Sequence, residues 1–356
     1  MQYDLLKLFI PSTVAFFVGI GMTPILAHYL YKYQMWKKKA GKIAPDGRST
    51  PIFNELHKTK EVGTPKMGGL VIWGSVLITI SIFWILARLY PSEILLKFDF
   101  LSRSQTLIPL FTLLFGALVG LIDDYLDIHG SRDHIAGGLS LRKRLLVVGA
   151  IGFACALWFY TKLDVNSIGL WGGYHIFLGP LFVFFFTIVV VALYSGGIID
   201  GIDGLAGGIF AAMFAAYGGI ALYQQQIDLA SFCAVVVGAI LAFLWFNIPP
   251  ARFYMSETGS MSLTITLAVV AFMTDSIVEG HGVIVLPIIA LPLLVSSASV
   301  IIQLLSKKFR NGKKVFLVAP LHHHFEAIGW PAAKVTMRYW IISIILAVLG
   351  LTLALI

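Results

Sequence analysis

Apolar runs near membrane length recur ten times along the chain, at about 5–32, 67–89, 105–122, 145–162, 175–194, 206–224, 229–247, 260–275, 282–305 and 336–356. A helix needs about 20 apolar residues to cross the hydrocarbon core of a bilayer, so each run predicts a membrane-spanning helix. The eighth run is short, which predicts a span that tilts little or lies partly at the interface. Beyond its end, Asp275 and Glu279 read as a solvated cap. The ninth run contains Pro287 and Pro292. Each removes a helix hydrogen bond and crowds the preceding turn, so a bend or break is predicted there. Turn residues between Asp164 and Gly173 predict a small hairpin. The first run is too long for a cleaved leader and lacks a small-residue cleavage site, so it is expected to remain as the first helix.

The polar breaks between runs alternate in charge. Loops 33–66, 123–144, 248–259 and 306–335 hold nearly all the lysines and arginines. Lys and Arg in short loops stay on the cytoplasmic side. The chain therefore reads as an all-α, polytopic integral membrane protein with about ten transmembrane helices. Both termini are expected outside and the active site at the cytoplasmic face. No Pro-, Gly- or Ser-rich linker divides it, so 1–356 reads as a single domain. Only 12% of residues are charged and 58% are hydrophobic, against about 25% charged in a soluble domain. A net charge of +8 would suit nucleic acid, but its confinement to alternate loops assigns it to membrane orientation, and no nucleic acid is expected as a partner. Cys155 and Cys233 lie inside apolar runs and have no disulfide or metal-ligand spacing.

The fifth inner loop breaks the basic pattern with acids. Ser195–Gly208 carries Asp200 and Asp203 among six glycines. Three apart, the two acids would share a helix face, and the glycines permit close backbone approach to a ligand. The plainer reading is a polar turn joining two helices. Asp123, Asp124 and Asp127 end the third run, and Glu257 lies before the eighth. Adjacent Asp123 and Asp124 diverge by about 100° on a helix and so have different tasks. Acids from three inner loops meet bases from the others, with Lys60, Lys66, Arg142, Lys143 and Arg144 among them. A Mg²⁺ ion is commonly held by one or two carboxylates, waters and substrate phosphates. Phosphoryl transfer needs in-line positioning, a metal and cations. A transporter would spread its acids near mid-membrane, whereas these cluster at one face. No P-loop or dinucleotide fingerprint occurs.

His322, His323 and His324 are consecutive. Each turns about 100° from the last on a helix, so they cannot all ligate one metal. Phosphate contact at a membrane-surface loop and a merely solvated loop are the two readings. His57, with Lys58 and Lys60, is a further phosphate candidate at the mouth of the second run. Trp171, Trp245, Trp330 and Trp340 fit an interfacial aromatic belt.

Several motifs together resemble the phospho-N-acetylmuramoyl-pentapeptide transferase family (bacterial translocase I), within the polyprenyl-phosphate N-acetylhexosamine-1-phosphate transferases. They are Thr64-Pro65-Lys66-Met67-Gly68-Gly69, Asp123-Asp124-Tyr125, Asp200-Gly201-Ile202-Asp203-Gly204-Leu205-Ala206, Leu244-Trp245-Phe246-Asn247 and Ala319-Pro320-Leu321-His322-His323-His324. The resemblance spans nearly the whole chain, and the three-histidine motif separates this branch from relatives that use other sugar nucleotides.

It implies an enzyme of the bacterial cytoplasmic (inner) membrane. The enzyme would transfer phospho-N-acetylmuramoyl-pentapeptide from its UDP nucleotide to undecaprenyl phosphate, giving lipid I and UMP for peptidoglycan synthesis, with Mg²⁺. Asp123 and Asp124 would serve the lipid-phosphate and catalytic end, and His324 is placed with the catalytic residues. Asp200 and Asp203 would lie at the metal and nucleotide end, with Glu257 the second metal ligand. Asn247, Tyr254 and Met255 match positions near the nucleoside pocket. His322 and His323 would bind phosphates or the peptide-sugar moiety. Lys60, Thr64 and Arg144 are substrate contacts, and a homodimer is a candidate assembly. The alternatives are a sister enzyme using another UDP-sugar and a catalytically silent relative.

The chain departs from the family pattern around this site. Met255-Ser256-Glu257-Thr258-Gly259-Ser260 replaces Met-Gly-Asp-Val-Gly-Ser. Tyr194 and Gly197 stand where the family has two asparagines. Asp127 replaces the lysine that usually follows the paired acids, and Lys66 replaces a threonine.

Overall fold

The computed structural model describes residues 2–38, 62–102, 105–129, 138–276 and 280–356. Its helices are α1 (Gln2–Lys32), α2 (Gly69–Leu89), the short α3 (Glu93–Phe98), α4 (Leu107–His129) and α5 (Leu141–Lys162). A hairpin, β1 (Ser167–Leu170) and β2 (Tyr174–Phe177), leads to α6 (Leu181–Gly196), α7 (Leu205–Tyr223), α8 (Ile227–Asn247) and α9 (Ser256–Ser276). The chain closes with α10 (Gly282–Ile289), α11 (Leu291–Phe309), α12 (Leu321–Ala327) and α13 (Ala332–Ala354). Among the described residues, ten helices are long and apolar enough to cross a membrane. In hydrocarbon every backbone polar group must be satisfied internally, which is why runs of this composition fold as helices.

The ninth span breaks at the place its prolines predict. Pro287 lies in α10, Pro292 is at the start of α11, and Ala290 separates the two helices.

The eighth span overturns its expectation. It forms α9, and every residue from Thr258 to Asp275 is buried. Its low hydropathy comes from hydroxyls that find partners inside the bundle. Thr264 Oγ1 donates to Ser260 O at 2.7 Å, Ser262 Oγ to Gly259 O at 2.8 Å, and the Thr112 and Thr266 hydroxyls bond each other at 3.2 Å. Helix α9 is therefore the shaft of the fold, packed by α4, α6, α2, α7 and α10. Two glycines let neighbours reach its first turn. A Cβ on Gly69 would lie 2.3 Å from Gly259 N, and one on Gly120 would lie 2.2 Å from Glu257 O.

At the far end of α9, Asp275 is buried and no solvated cap. Its carboxylate accepts from Gly169 N of β1 and Val283 N of α10, both at 3.1 Å. It thus ties the predicted hairpin, which pairs antiparallel from Ser167↔Phe177 to Leu170↔Tyr174, to the bundle. Glu279 lies outside the described residues.

Candidate active site

The opposite end of α9 gathers the acids. Asp124 is fully buried near the C-terminus of α4 and accepts three hydrogen bonds from the first turn of α9. The donors are Thr258 Oγ1 at 2.6 Å, Thr258 N at 2.9 Å and Glu257 N at 3.4 Å. Asp200, in the loop before α7, accepts from Ser256 N at 2.8 Å. A helix begins with N–H groups that have no partner within it, and its dipole favours negative charge there. Two carboxylates from two other segments fill that role for α9. Ser256 itself has φ +57°, an uncommon conformation for a residue with a side chain, and it turns the chain into this arrangement.

Asp123 points elsewhere, as adjacency on a helix requires. Its Oδ1 accepts from Leu139 N at 2.7 Å and lies 3.0 Å from Arg144 Nε. Arg144, in the first turn of α5, also donates through Nη1 to Glu257 Oε1 at 2.7 Å. One guanidinium thus bridges carboxylates from α4 and α9. Its sequence neighbours Arg142 and Lys143 are exposed. Tyr194 donates its hydroxyl to Glu257 Oε2 at 3.4 Å.

Lys66 enters from the loop before α2. Its ammonium pairs with Asp127 and lies 3.7 Å from Asp124. Burial alone would lower its pKa, but the charges of Asp124 and Asp127 more than compensate, so the net shift is upward and Lys66 stays protonated at neutral pH. The loop is clamped by backbone bonds: Tyr254 N to Pro65 O and Gly68 N to Tyr254 O, both 2.8 Å, and Gly69 N to Met255 O at 3.2 Å. Met67 takes φ +66° within it. Thr64 is half-buried beside the clamp, and Met255 is fully buried. Lys60, His57 and Lys58 lie outside the described residues.

Asp200 and Asp203 do not share a helix face. Asp200 follows a 3-10 turn (Gly197–Ile199), and Gly204 takes φ +76° before α7 starts. Of the glycines that suggested ligand approach, Gly204 bends the chain, while Gly207 and Gly208 admit Leu244 and Trp340. Asp203 turns to Ala251 N at 3.2 Å. Asn247 is buried with both ends of its amide engaged, accepting from Gly204 N at 3.0 Å and donating to Phe253 O at 2.8 Å. It shapes the two loops that flank the cluster. Trp340 joins this wall rather than an outer belt, donating Nε1 to Gly204 O at 3.1 Å.

The histidines divide. His322 and His323 are buried on α12 against Gly201, where an added Cβ would lie 2.6 Å from each Nε2. His323 Nδ1 bonds Glu326 at 2.7 Å. His324 turns away from that pair, and its Nδ1 accepts from Leu317 N at 3.2 Å. The first two lie beside the Asp200 loop and the third buttresses the 317 strand of chain.

The sequence pattern of glycosyl transferase family 4 matches residues 106–275, the segment that carries most of these acids. A phospho-N-acetylmuramoyl-pentapeptide-transferase of Chloroflexus aggregans is 31% identical over 375 residues, covering 99% of this chain and 91% of that protein. Those of Bacillus cytotoxicus and Bacillus anthracis are 33% and 32% identical, each covering 97% of both chains. The chain belongs to the phospho-N-acetylmuramoyl-pentapeptide-transferase family.

Within that family, the local departures acquire places. Tyr194, in the position of one family asparagine, puts a hydroxyl on Glu257. Gly197, in the position of the other, leaves room: a Cβ there would meet Ser260 Cβ at 3.6 Å and Thr264 Cγ2 at 3.7 Å, which is ordinary contact. Sequence reasoning passed over Tyr194 and Thr258 as site residues because a tyrosine ending an apolar run and a threonine starting one look like ordinary boundary residues. Their partners are more than 60 positions away.

The residues suit a hard divalent cation. Among the described residues, no three acidic, histidine or cysteine side chains converge as a protein-only metal cage. Mg²⁺ does not need one, since it is usually bound by one or two carboxylates plus substrate phosphates. Asp200 accepts from the backbone of Ser256, the residue before Glu257, and the Glu257 oxygens face Arg144 and Tyr194, so these two carboxylates are the oxygen donors that would hold the ion. The surrounding charges agree: Asp123, Asp124, Asp127 and Glu257 outnumber Lys66 and Arg144.

Proposed function

We infer that the chain transfers phospho-N-acetylmuramoyl-pentapeptide from its UDP nucleotide to undecaprenyl phosphate, at the cytoplasmic face of a bacterial inner membrane. The observation that carries this reading is the joining of Asp123, Asp124, Asp200, Glu257, Lys66 and Arg144 around the first turn of α9. It stands in a chain whose relatives bear that transferase name over nearly their full length.

An oxygen of the lipid phosphate attacks the β-phosphorus of the nucleotide. The new P–O bond forms as the bond from that phosphorus to the bridging oxygen breaks, and UMP leaves with the electron pair. A phosphate monoester has a second pKa near 6, by analogy with phosphoserine, so the nucleophile is already largely ionised and little proton transfer is required. Positioning and charge compensation carry the catalysis. Asp123 and Asp124 fix Arg144 and Lys66 at the lipid-phosphate end, and those cations face the incoming phosphates. Asp200 and Glu257 would hold Mg²⁺, which supplies neutralisation of the diphosphate when bound. His322 and His323, packed beside Gly201 of the Asp200 loop, would meet the phosphates or the sugar, while Asn247 holds the loop in shape through Gly204. A groove at the break around Ala290 would let the polyprenyl tail stay in lipid while its head reaches the acids.

A second reading, a different UDP-sugar as donor, is favoured by one feature: Tyr194 and Gly197 supply no amide where the family has two asparagines. Donor selectivity tests the choice. Purified protein given undecaprenyl phosphate and Mg²⁺ is expected to release UMP from UDP-N-acetylmuramoyl-pentapeptide at least a hundredfold faster than from UDP-N-acetylglucosamine, because polar contacts to a substrate group discriminate strongly against donors lacking it. The reverse order would install the second reading.

A further inference from the structure

Two of the departures from the family pattern are one event in space. The family's usual arrangement, given above, has threonine at the position of Lys66 and lysine at the position of Asp127. Here the lysine stands on the loop instead of the helix, an acid occupies the helix position 61 residues away, and the two side chains meet in an ion pair. The ammonium also lies 3.7 Å from Asp124, the acid that caps α9. The Lys66 side chain is mostly buried and that of Asp127 more so. The loop carrying Lys66 is pinned by three backbone bonds to residues 254 and 255, immediately before the first turn of α9, so the lysine has a fixed origin.

We propose that Lys66 is the positioning cation of the acid cluster, delivered from the loop before α2 in place of a lysine on α4, with Asp127 as its anchor. The inference rests on the transferase reading for its kinetic consequences, but the pairing itself does not. In this arrangement Asp127 sits on the same helix as Asp124, one turn on, and holds the ammonium against it. The Lys66 ammonium stands 3.7 Å from Asp124 while that carboxylate caps α9, and directs positive charge toward the phosphate that the cluster receives. A lysine reaching the same point from position 127 would do the same work, which is why the exchange can preserve the site.

The test is a swap cycle in the full-length protein in nanodiscs, with Lys66→Thr, Asp127→Lys and the double variant, each read by UMP release and by thermal unfolding. Lys66→Thr is expected to lower kcat about a hundredfold with KM for the nucleotide changed by less than about threefold, the signature of an interaction felt mainly in the transition state. Asp127→Lys, which sets two ammonium groups together, is expected to lower kcat by at least about tenfold. The double variant is expected to return to within about tenfold of the parent, and Lys66→Arg to stay within the same range. A double variant no better than the product of the single losses, or a Lys66→Thr variant with undiminished kcat, would overturn the proposal. If the parent itself forms no product, the transferase reading fails and the unfolding midpoints decide. Recovery of the Lys66→Thr loss in the double variant then supports the pair, and strictly additive midpoints overturn it.

Discussion

Replacing Asp124 with asparagine is expected to lower turnover by about a thousandfold or more, a loss typical when a preorganised charged group is removed from a site, and also to destabilise the protein. The second effect follows from the geometry. Asp124 is buried and accepts from Glu257 N, Thr258 N and Thr258 Oγ1, so it caps the central helix. An asparagine keeps one acceptor oxygen but turns an NH₂ toward the other donors. It also leaves the Lys66 ammonium with Asp127 as its remaining acidic partner in the pair of contacts described. Breaking a buried charged pair by removing one partner commonly costs about 3–5 kcal/mol, and the remaining capping bond and Asp127 offset part of that here. UMP release and thermal unfolding in detergent check the two halves separately. An Asp124→Asn protein with parental turnover would remove the residue from the mechanism. One with lost turnover and an unchanged midpoint would show that the cap belongs to Asp200 and the backbone alone.

Arg144→Met is the second large effect. The guanidinium bridges Asp123 at 3.0 Å and Glu257 at 2.7 Å, and only 13% of its side chain is exposed. Methionine keeps much of the apolar stem and deletes the charge, so buried Asp123 and part-buried Glu257 lose their shared counter-ion. Turnover is expected to fall about 10²–10³-fold. Arg144→Lys is expected to recover part of the loss, because an ammonium is a point charge that cannot span both acids as a planar fork does. Parallel kinetics of the three proteins check this. Equal activity in the parent and the methionine variant would make the bridge a bystander, and full recovery by lysine would show that charge alone matters.

Much of the fold was legible because hydrocarbon imposes a single rule on backbone polar groups. Ten apolar runs became ten helices of spanning length, and Pro287 and Pro292 marked the break at Ala290. The reading failed where apolarity is not what makes a segment buried. Helix α9 looked weakest because it is rich in Ser and Thr. Yet its hydroxyls bond back to their own helix or across to α4, and its neighbours wrap it completely. Asp275 failed for the same reason: a carboxylate at a helix end reads as solvated until the hairpin that folds over it is known.

The acids of the site were legible as a set, since carboxylates at the ends of apolar runs are conspicuous. Their grouping was not. Asp200 and Asp203 were paired by spacing, and the 3-10 turn before Asp200 and the left-handed Gly204 unpair them by bending the backbone. His324 was grouped with its two neighbours by adjacency, and helix rotation sends it to Leu317. The exchange between Lys66 and Asp127 looked like two unrelated departures, because sequence distance hides an ion pair formed across a loop and a helix.

The most direct test of the central claim is the formation of lipid I itself. Purified protein in nanodiscs, supplied with undecaprenyl phosphate, UDP-N-acetylmuramoyl-pentapeptide and Mg²⁺, is expected to yield lipid I and UMP in equal amounts, with turnover abolished when the metal is chelated. Folded protein that releases no UMP and forms no lipid I across a range of Mg²⁺ concentrations would contradict the account.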